Sequence, residues 1–283
     1  MSPPQWYLLS GRDVRGHTVV TGSSVTFNTE PTSIGDHLVR RWQIGTLSLW
    51  VRRGENGEWF VAQKQETGAD EDLVEADVLD EEPADLTWQR YALPELDPTL
   101  TLTPHLPDRP LVVRSETPLS LVTGGSGVFY ALLPCWIRLT VGGTVKLAEV
   151  PSVRLSGSWF GDPISGELCY AMRTNARRSI AELPSRPHRA VCTLRLNNQD
   201  SNHLEVKRIC VHAGPLAVYR GTDHWWTSEV TMAHAGGDEP GLLLYGNGAP
   251  AGDPEATLVT PAREPHDPKS LRSRFKAIRS FIA

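Results

Sequence analysis

Cysteine is scarce in this chain of 283 residues, which contains only four, at positions 135, 169, 192 and 210. No two of them stand in a C-x-x-C spacing, and a small secreted domain held together by disulfides would be far richer in cysteine. The scarcity excludes a disulfide scaffold. It predicts reduced thiols without a disulfide, in a cytoplasmic protein.

Long apolar runs and an excess of basic charge are also lacking. No window reaches the ~18 apolar residues that a membrane-spanning helix needs, and the first residues lack the basic and apolar regions of a secretion signal. The formal net charge is −5, whereas nucleic-acid binding usually needs a concentrated basic surface. These absences predict no transmembrane segment and no nucleic-acid partner, and they again favour the cytoplasm.

The sequence is rich instead in short segments where apolar and polar side chains alternate. Cys135, Ile137, Leu139 and Val141 alternate with polar or bulky residues such as Arg138. Because successive side chains of a strand point to opposite faces of a sheet, this pattern predicts a strand with those four residues buried on one face. Similar strands are predicted at 18–27, 46–52, 58–63, 111–114, 119–123, 128–133, 168–174, 191–196, 204–211 and 225–232.

Glycine and asparagine clusters separate several of these segments. Residues 124–127, 142–143 and 197–198 each fit a tight chain reversal, since Gly and Asn tolerate a positive φ. The first cluster is not followed by a helical segment, so a hairpin turn is favoured there over a phosphate-binding loop. Closely spaced strands and turns are typical of sandwiches and barrels.

The sequence therefore predicts an all-β protein, sandwich- or barrel-like, with two β domains and a C-terminal amphipathic helix. An acidic segment at 66–85 and a proline-rich segment at 93–110 favour a division near residue 100. The predicted parts are an N-terminal β domain at 1–100, a C-terminal β-sandwich domain at 101–265 and the helix at 266–283.

The terminal helix is predicted from its capping residues and its periodicity. Asp267 suits the N-cap and Pro268 suits the first helical position. Leu271, Phe275 and Ile278 recur at helical spacing and form one apolar stripe. We expect that stripe to pack on a sheet of the same chain.

The segment from 155 to 248 has the most distinctive composition. It contains LSGSWFGDPISGELCYAMRTNARR, HRAVCTLRLNNQDSNHLEVKRICV, LAVYRGTDHWWTSEVTM and GGDEPGLLLYGNG. In these motifs the chain resembles the family catalogued as domain of unknown function 432, which occurs in archaea and bacteria. The resemblance implies no established activity, cofactor or catalytic residue. It does imply one partner, because such proteins are associated with genes for small mechanosensitive channels.

Paired carboxylates are one candidate for chemistry. Asp162 or Glu167, together with Asp238 or Glu239, could act as acid and base in hydrolysis if the fold brings them together. The alternative is that Asp162 and Asp238 shape turns, because aspartate side chains readily accept hydrogen bonds from nearby backbone. The sequence favours the turn interpretation.

Aromatic and basic residues are a second candidate, for ligand binding. Trp159, Trp226 and the arginines at 173 and 189 could bind an anion or a sugar. Because neighbours in a strand face opposite ways, one of Trp225 and Trp226 is expected to point outward.

Cysteine and histidine are a third candidate, for metal binding. His188 with Cys192, and Cys210 with His212, each have the even spacing that puts both side chains on one strand face. Two such pairs on neighbouring strands could hold zinc. Cysteine is nevertheless often buried simply as a small apolar residue. The sequence therefore predicts no bound metal and no cofactor.

The most favoured function is a non-enzymatic binding or regulatory module for a protein or small-molecule ligand, and a hydrolase using the paired carboxylates is the alternative. We expect the 159–170 segment to meet His188, Arg189 and Asp238 in one polar site. The candidate ligand-binding residues are Trp159, Asp162, Glu167, Arg173, His188, Arg189, Trp226 and Asp238.

Overall fold

The fold comes from a computed structural model, which describes residues 27–36, 38–66, 74–79, 81–93, 97–164, 166–174, 177–184, 186–236 and 242–264. The helix predicted for 266–283 lies outside these residues, as do most of the strand predicted for 18–27 and part of the acidic segment at 66–85. Asp238 and Glu239 also lie outside them.

The described residues form twenty strands and two single-turn 3₁₀ helices, the latter at Glu55–Gly57 and Ile180–Glu182. The strands are β1 (Thr32–Ser33), β2 (Val39–Ile44), β3 (Leu47–Arg53), β4 (Glu58–Gln65), β5 (Val74–Leu79), β6 (Gln89–Ala92), β7 (Thr99–His105), β8 (Leu111–Leu121), β9 (Ser126–Pro134), β10 (Trp136–Val141), β11 (Val145–Pro151), β12 (Ser156–Phe160), β13 (Glu167–Thr174), β14 (Arg189–Asn198), β15 (Leu204–Val211), β16 (Val218–Arg220), β17 (Trp225–Thr227), β18 (Val230–His234), β19 (Leu242–Tyr245) and β20 (Thr257–Thr260). The all-β prediction is thus confirmed.

These strands form four sheets. A five-stranded sheet has the order β5-β2-β3-β4-β6, and two four-stranded sheets have the orders β1-β7-β10-β11 and β12-β13-β8-β15. A seven-stranded sheet has the order β19-β18-β14-β17-β16-β20, with β9 also paired to β14. Among the described residues, no helix is long and apolar enough to cross a membrane.

The alternation in β10 predicts its burial correctly. Cys135, Ile137, Leu139 and Val141 are fully buried, whereas Trp136 and the other alternate residues are half-buried. Strand β10 lies between β7 and β11 and pairs antiparallel with both. A strand in the middle of a sheet has one face on the core, which is what two-residue periodicity indicates.

Two of the three predicted reversals are confirmed. Gly124 and Gly143 adopt positive φ, +65° and +71°, in the turns that join β8 to β9 and β10 to β11. The reversal predicted at 197–198 is wrong, because both residues end β14. Asn198 is buried, and its side-chain amide donates hydrogen bonds to the carbonyls of Leu121, Val122 and Asn202. The chain therefore reverses direction after Asn198, where β14 ends.

A single large hydrophobic cluster joins all four sheets. It includes Ile44 and Leu49 from the five-stranded sheet, Leu139 from β10, Val113 from β8 and Leu194 from β14. The five-stranded sheet is built entirely from residues 39–92, which fall inside the predicted N-terminal domain. The division into two domains stays a prediction.

Candidate functional site

The sheet β12-β13-β8-β15 holds a cluster of chemically reactive side chains on one face. Strand β8 is central, parallel to β13 and antiparallel to β15. Val113 and Ile209 on one face belong to the main core. The opposite face, here called the outer face, carries a small buried group of Val112, Phe160, Cys169 and Cys210.

The register explains why four polar side chains lie on the outer face. Cys210 pairs with Val112 of β8, which also pairs with Ala171 of β13. Cys169 lies two residues before Ala171 and therefore shares its face. By the same periodicity, Glu167 shares the face of Cys169, and His212 shares the face of Cys210. All four lie near the end of the sheet where β8 begins.

The distances within this cluster are short. Glu167 Oε1 lies 2.8 Å from His212 Nε2 and 3.8 Å from Cys210 Sγ. Ligand atoms of Glu167, Cys210 and His212 all lie within 4.8 Å of one another. Cys169 adds a second sulfur, 3.8 Å from Cys210 Sγ. Both sulfurs are buried, whereas Glu167 and His212 are half-buried, so the cluster faces solvent on its carboxylate side.

Hydrogen bonds in the cluster shift three pKa values. Burial alone would raise the pKa of Glu167, but the hydrogen bond with His212, the charge of that ring and the bond with Cys210 lower it overall. The hydrogen bond between the two sulfurs lowers the pKa of Cys169. The same bond, together with burial, raises the pKa of Cys210. The cluster therefore favours the carboxylate form of Glu167 and makes the two neighbouring thiols unequal in acidity.

A disulfide between Cys169 and Cys210 does not fit this geometry. The two cysteines lie on strands separated by β8, so their backbones are about two strand spacings apart, ~9.6 Å. A disulfide usually needs Cα atoms ~4.4–6.8 Å apart. The two sulfurs, 3.8 Å apart, therefore form a contact between free thiols.

Comparison with known families is informative only at the level of the family. A family model described as a protein of unknown function (DUF432) matches residues 30–280, nearly the whole chain. The chain belongs to the DUF432 family. No curated protein and no solved structure matches it. Since DUF432 membership brings no known ligand, the site has to be judged by its own chemistry.

Within this DUF432 chain, the structure places the predicted site residues in different surroundings. Glu167 is part of the cluster. Trp159 is about half exposed on the β12–β13 hairpin, and its indole nitrogen donates to the carbonyl of Asp162. Asp162 Oδ1 accepts a hydrogen bond from the backbone of Ile164, so this carboxylate shapes the turn.

His188 and Arg189 lie at the start of β14, in the seven-stranded sheet. The His188 ring is completely buried and accepts a hydrogen bond from Arg189 Nε, 3.3 Å away. Its carbonyl accepts bonds from the amide of Cys135 and the hydroxyl of Ser152. These contacts fasten β14 to its neighbours, which is a structural role.

Trp226 is buried, contrary to the expectation that it or Trp225 points outward. It packs with Val191, Tyr219 and Ala256 in a second small apolar cluster that covers the other face of the sheet. The sheet is therefore buried on both faces at this point, which alternation along one strand cannot indicate.

A cleft of about 670 Å³ lies on the other side of β13. Tyr170, the neighbour of Cys169, forms one wall with Trp136, and their ring centroids are 5.9 Å apart. Lys64 and Arg154 add positive charge to its lining. Its size suits a small organic molecule.

Proposed function

We propose that this DUF432 chain is a non-enzymatic binding protein that holds one transition-metal ion, with zinc the best fit. Glu167, Cys210 and His212 are the proposed ligands, and the Cys169 thiol lies beside them, 3.8 Å from Cys210 Sγ. The observation that carries the proposal is the convergence of these groups from two strands, with ligand atoms of the first three within 4.8 Å of one another. It revises the prediction of no metal.

The ligand types support zinc. Thiolate and imidazole are ligands that zinc accepts readily, and a carboxylate is also common in its sites. On binding, the ion would replace the proton between Glu167 and His212. The oxygen and nitrogen, now 2.8 Å apart, would separate to about 3.4 Å, the spacing of two ligands on a tetrahedral ion. Half-buried side chains on a strand end can make that small movement.

A binding role is favoured over catalysis because the described carboxylates that hydrolysis would need already make hydrogen bonds. The alternative hydrolase needs Glu167 or Asp162 as a free acid or base, and Glu167 bonds His212 while Asp162 bonds its own turn. The cytoplasm suits the proposed site, since its thiols must stay reduced to bind the ion.

The test is titration of the chelator-treated full chain with Co²⁺, followed by native mass spectrometry with Zn²⁺. We expect one ion per chain and a sulfur-to-cobalt charge-transfer band. Cys210→Ser should abolish stoichiometric binding. Cys169→Ser should keep the ion, because the three proposed ligands remain.

Cys192→Ser is the matched control, because Cys192 is also fully buried but belongs to β14. It should bind one ion with an unchanged spectrum. Absence of stoichiometric metal in the native chain would refute the proposal. An equal loss of binding in the control and in the Cys210 variant would do the same.

A further inference from the structure

Three arginines form one row across the outer face of the sheet that carries the cluster. Arg173 of β13 pairs with Arg114 of β8, and Arg114 pairs with Arg208 of β15. Directly paired residues point to the same face. Arg208 lies two residues before Cys210, so the row is on the outer face, one step along the strands from the proposed metal ligands.

The row is accessible. Arg114 and Arg173 are exposed and Arg208 is half-buried. The Arg208 guanidinium lies 5.4 Å from the centroid of the Phe160 ring, and Phe160 packs against Cys169 and Cys210. This contact holds the Arg208 end of the row beside the small buried group that contains both cysteines.

Three like charges side by side are unfavourable for the sheet itself. Directly opposed like charges on neighbouring strands destabilise a sheet. Within the described part of the chain, neither the Arg114 nor the Arg173 side chain has a hydrogen bond or an ion pair. Exposed arginines placed side by side, two of them without such a partner among the described side chains, are expected where an external anion binds.

We propose that this row binds a short chain of linked phosphates, free or as part of a nucleotide. Guanidinium groups form paired hydrogen bonds with phosphate oxygens. The row spans about two strand spacings, ~9.6 Å, which is too long for one phosphate group and suits two or three in a line. The inference is independent of the proposed metal site, since no metal ligand belongs to the row.

The experiment is calorimetric titration of the full chain with inorganic tripolyphosphate and with adenosine triphosphate. The protein is stripped of metal first, because polyphosphates chelate metal ions. We expect saturable binding that weakens with added salt. Arg114→Gln, which removes the central charge, should weaken binding by about tenfold or more, and Arg173→Gln should weaken it less.

Arg90→Gln is the matched control, since it removes one exposed arginine from β6 of the five-stranded sheet. It should leave the affinity unchanged. The melting temperature of Arg114→Gln should equal or exceed that of the native chain, because a repulsive contact is relieved. Cys210→Ser should still bind tripolyphosphate, so failure of the metal proposal would be seen separately. The inference is overturned if tripolyphosphate does not bind, or if the control loses as much affinity as Arg114→Gln.

Discussion

Gly45 illustrates how a single residue can hold two sheets together. It lies in the turn between β2 and β3 with a φ of +56°. A Cβ atom at this position would lie 2.7 Å from Cε1 of His188, well inside contact distance. The buried ring of His188 therefore packs directly on the backbone of the five-stranded sheet, and this packing explains why it is a core residue.

We expect Gly45→Ala to destabilise the protein more than the same change at Gly143. Gly143 also has a positive φ, +71°, but a Cβ there would contact nothing within 4 Å. The strain of a positive φ costs alanine about 1 kcal/mol in both variants. Overlap with His188 should cost Gly45→Ala a further ~1–3 kcal/mol. Urea unfolding measures the difference, and equal losses would show that the ring moves aside freely.

At the same scale, the residues of the proposed metal site have informative spacings in the sequence, but the sequence does not show that the two pairs meet. Cys210 and His212 stand two apart, and so do Glu167 and Cys169, which puts each pair on one strand face. The even spacing in the sequence groups Cys210 and His212 with His188 and Cys192 instead. Strand β13 lies on the far side of β8 from β15, and nothing in the spacing indicates that arrangement.

At the scale of elements, alternation predicts strands well and their neighbours poorly. β10 and its buried face follow from the period of its residues alone. The partners of β8 do not, because it pairs with β13 and β15, which come much later in the chain. The register shift between Val206 and Arg208 does coincide with the break in alternation at Lys207 and Arg208. The sequence therefore predicts local irregularities within a strand, whereas the choice of partner strands depends on packing across the whole core.

Strands β10 and β11 share an ionic network, centred on the largely buried carboxylate of Glu149, whose contribution should depend on pH. Glu149 accepts from Arg138 and Lys146, each 3.1 Å away, and also pairs with Arg263. Burial alone would raise its pKa, but hydrogen bonds from these three partners lower it to about 2. A carboxyl with a lowered pKa stabilises the fold above its unfolded pKa, near 4.5, and loses that effect as the pH falls towards 2.

Acidification from pH 7 to 3 should therefore remove about 2 kcal/mol of unfolding free energy through Glu149. Glu149→Gln should be less stable than the native chain at pH 7 but should lose about that much less over the same interval. Urea unfolding at both pH values measures this. Glu205→Gln is the control, because the Glu205–Lys207 pair is about half exposed and surface pairs contribute little. A parallel decline in native protein and Glu149→Gln would contradict the account.

At the scale of the whole molecule, hydrogen bonds and a shared core join the five-stranded sheet to the rest of the described structure. Thr46 Oγ1 donates to the carbonyl of Ser152, and Gln65 Nε2 donates to that of Pro151, 2.9 Å away. With the continuous hydrophobic cluster, these contacts favour one cooperative unit over two domains that unfold separately, although the sequence predicts a division near residue 100.

Labelling of the cysteines can distinguish one cooperative unit from two domains that unfold separately. All four are buried free thiols, and all lie between residues 135 and 210, so their reaction with a thiol reagent reports only on the second predicted domain.

Leu49 is completely buried in the five-stranded sheet. Leu49→Ala should destabilise by about 2–5 kcal/mol. In a single cooperative unit, the labelling of the distant thiols should accelerate by ~30-fold or more, because an opening that is 2 kcal/mol easier is that much more populated. Leu139→Ala, in β10, should accelerate labelling under either description and is the positive control. Measurements with chelator present keep metal from protecting the thiols. If Leu49→Ala lowers the stability of its own sheet and leaves the labelling rate unchanged, the five-stranded sheet is an independent domain; we expect instead that it exposes all four thiols together.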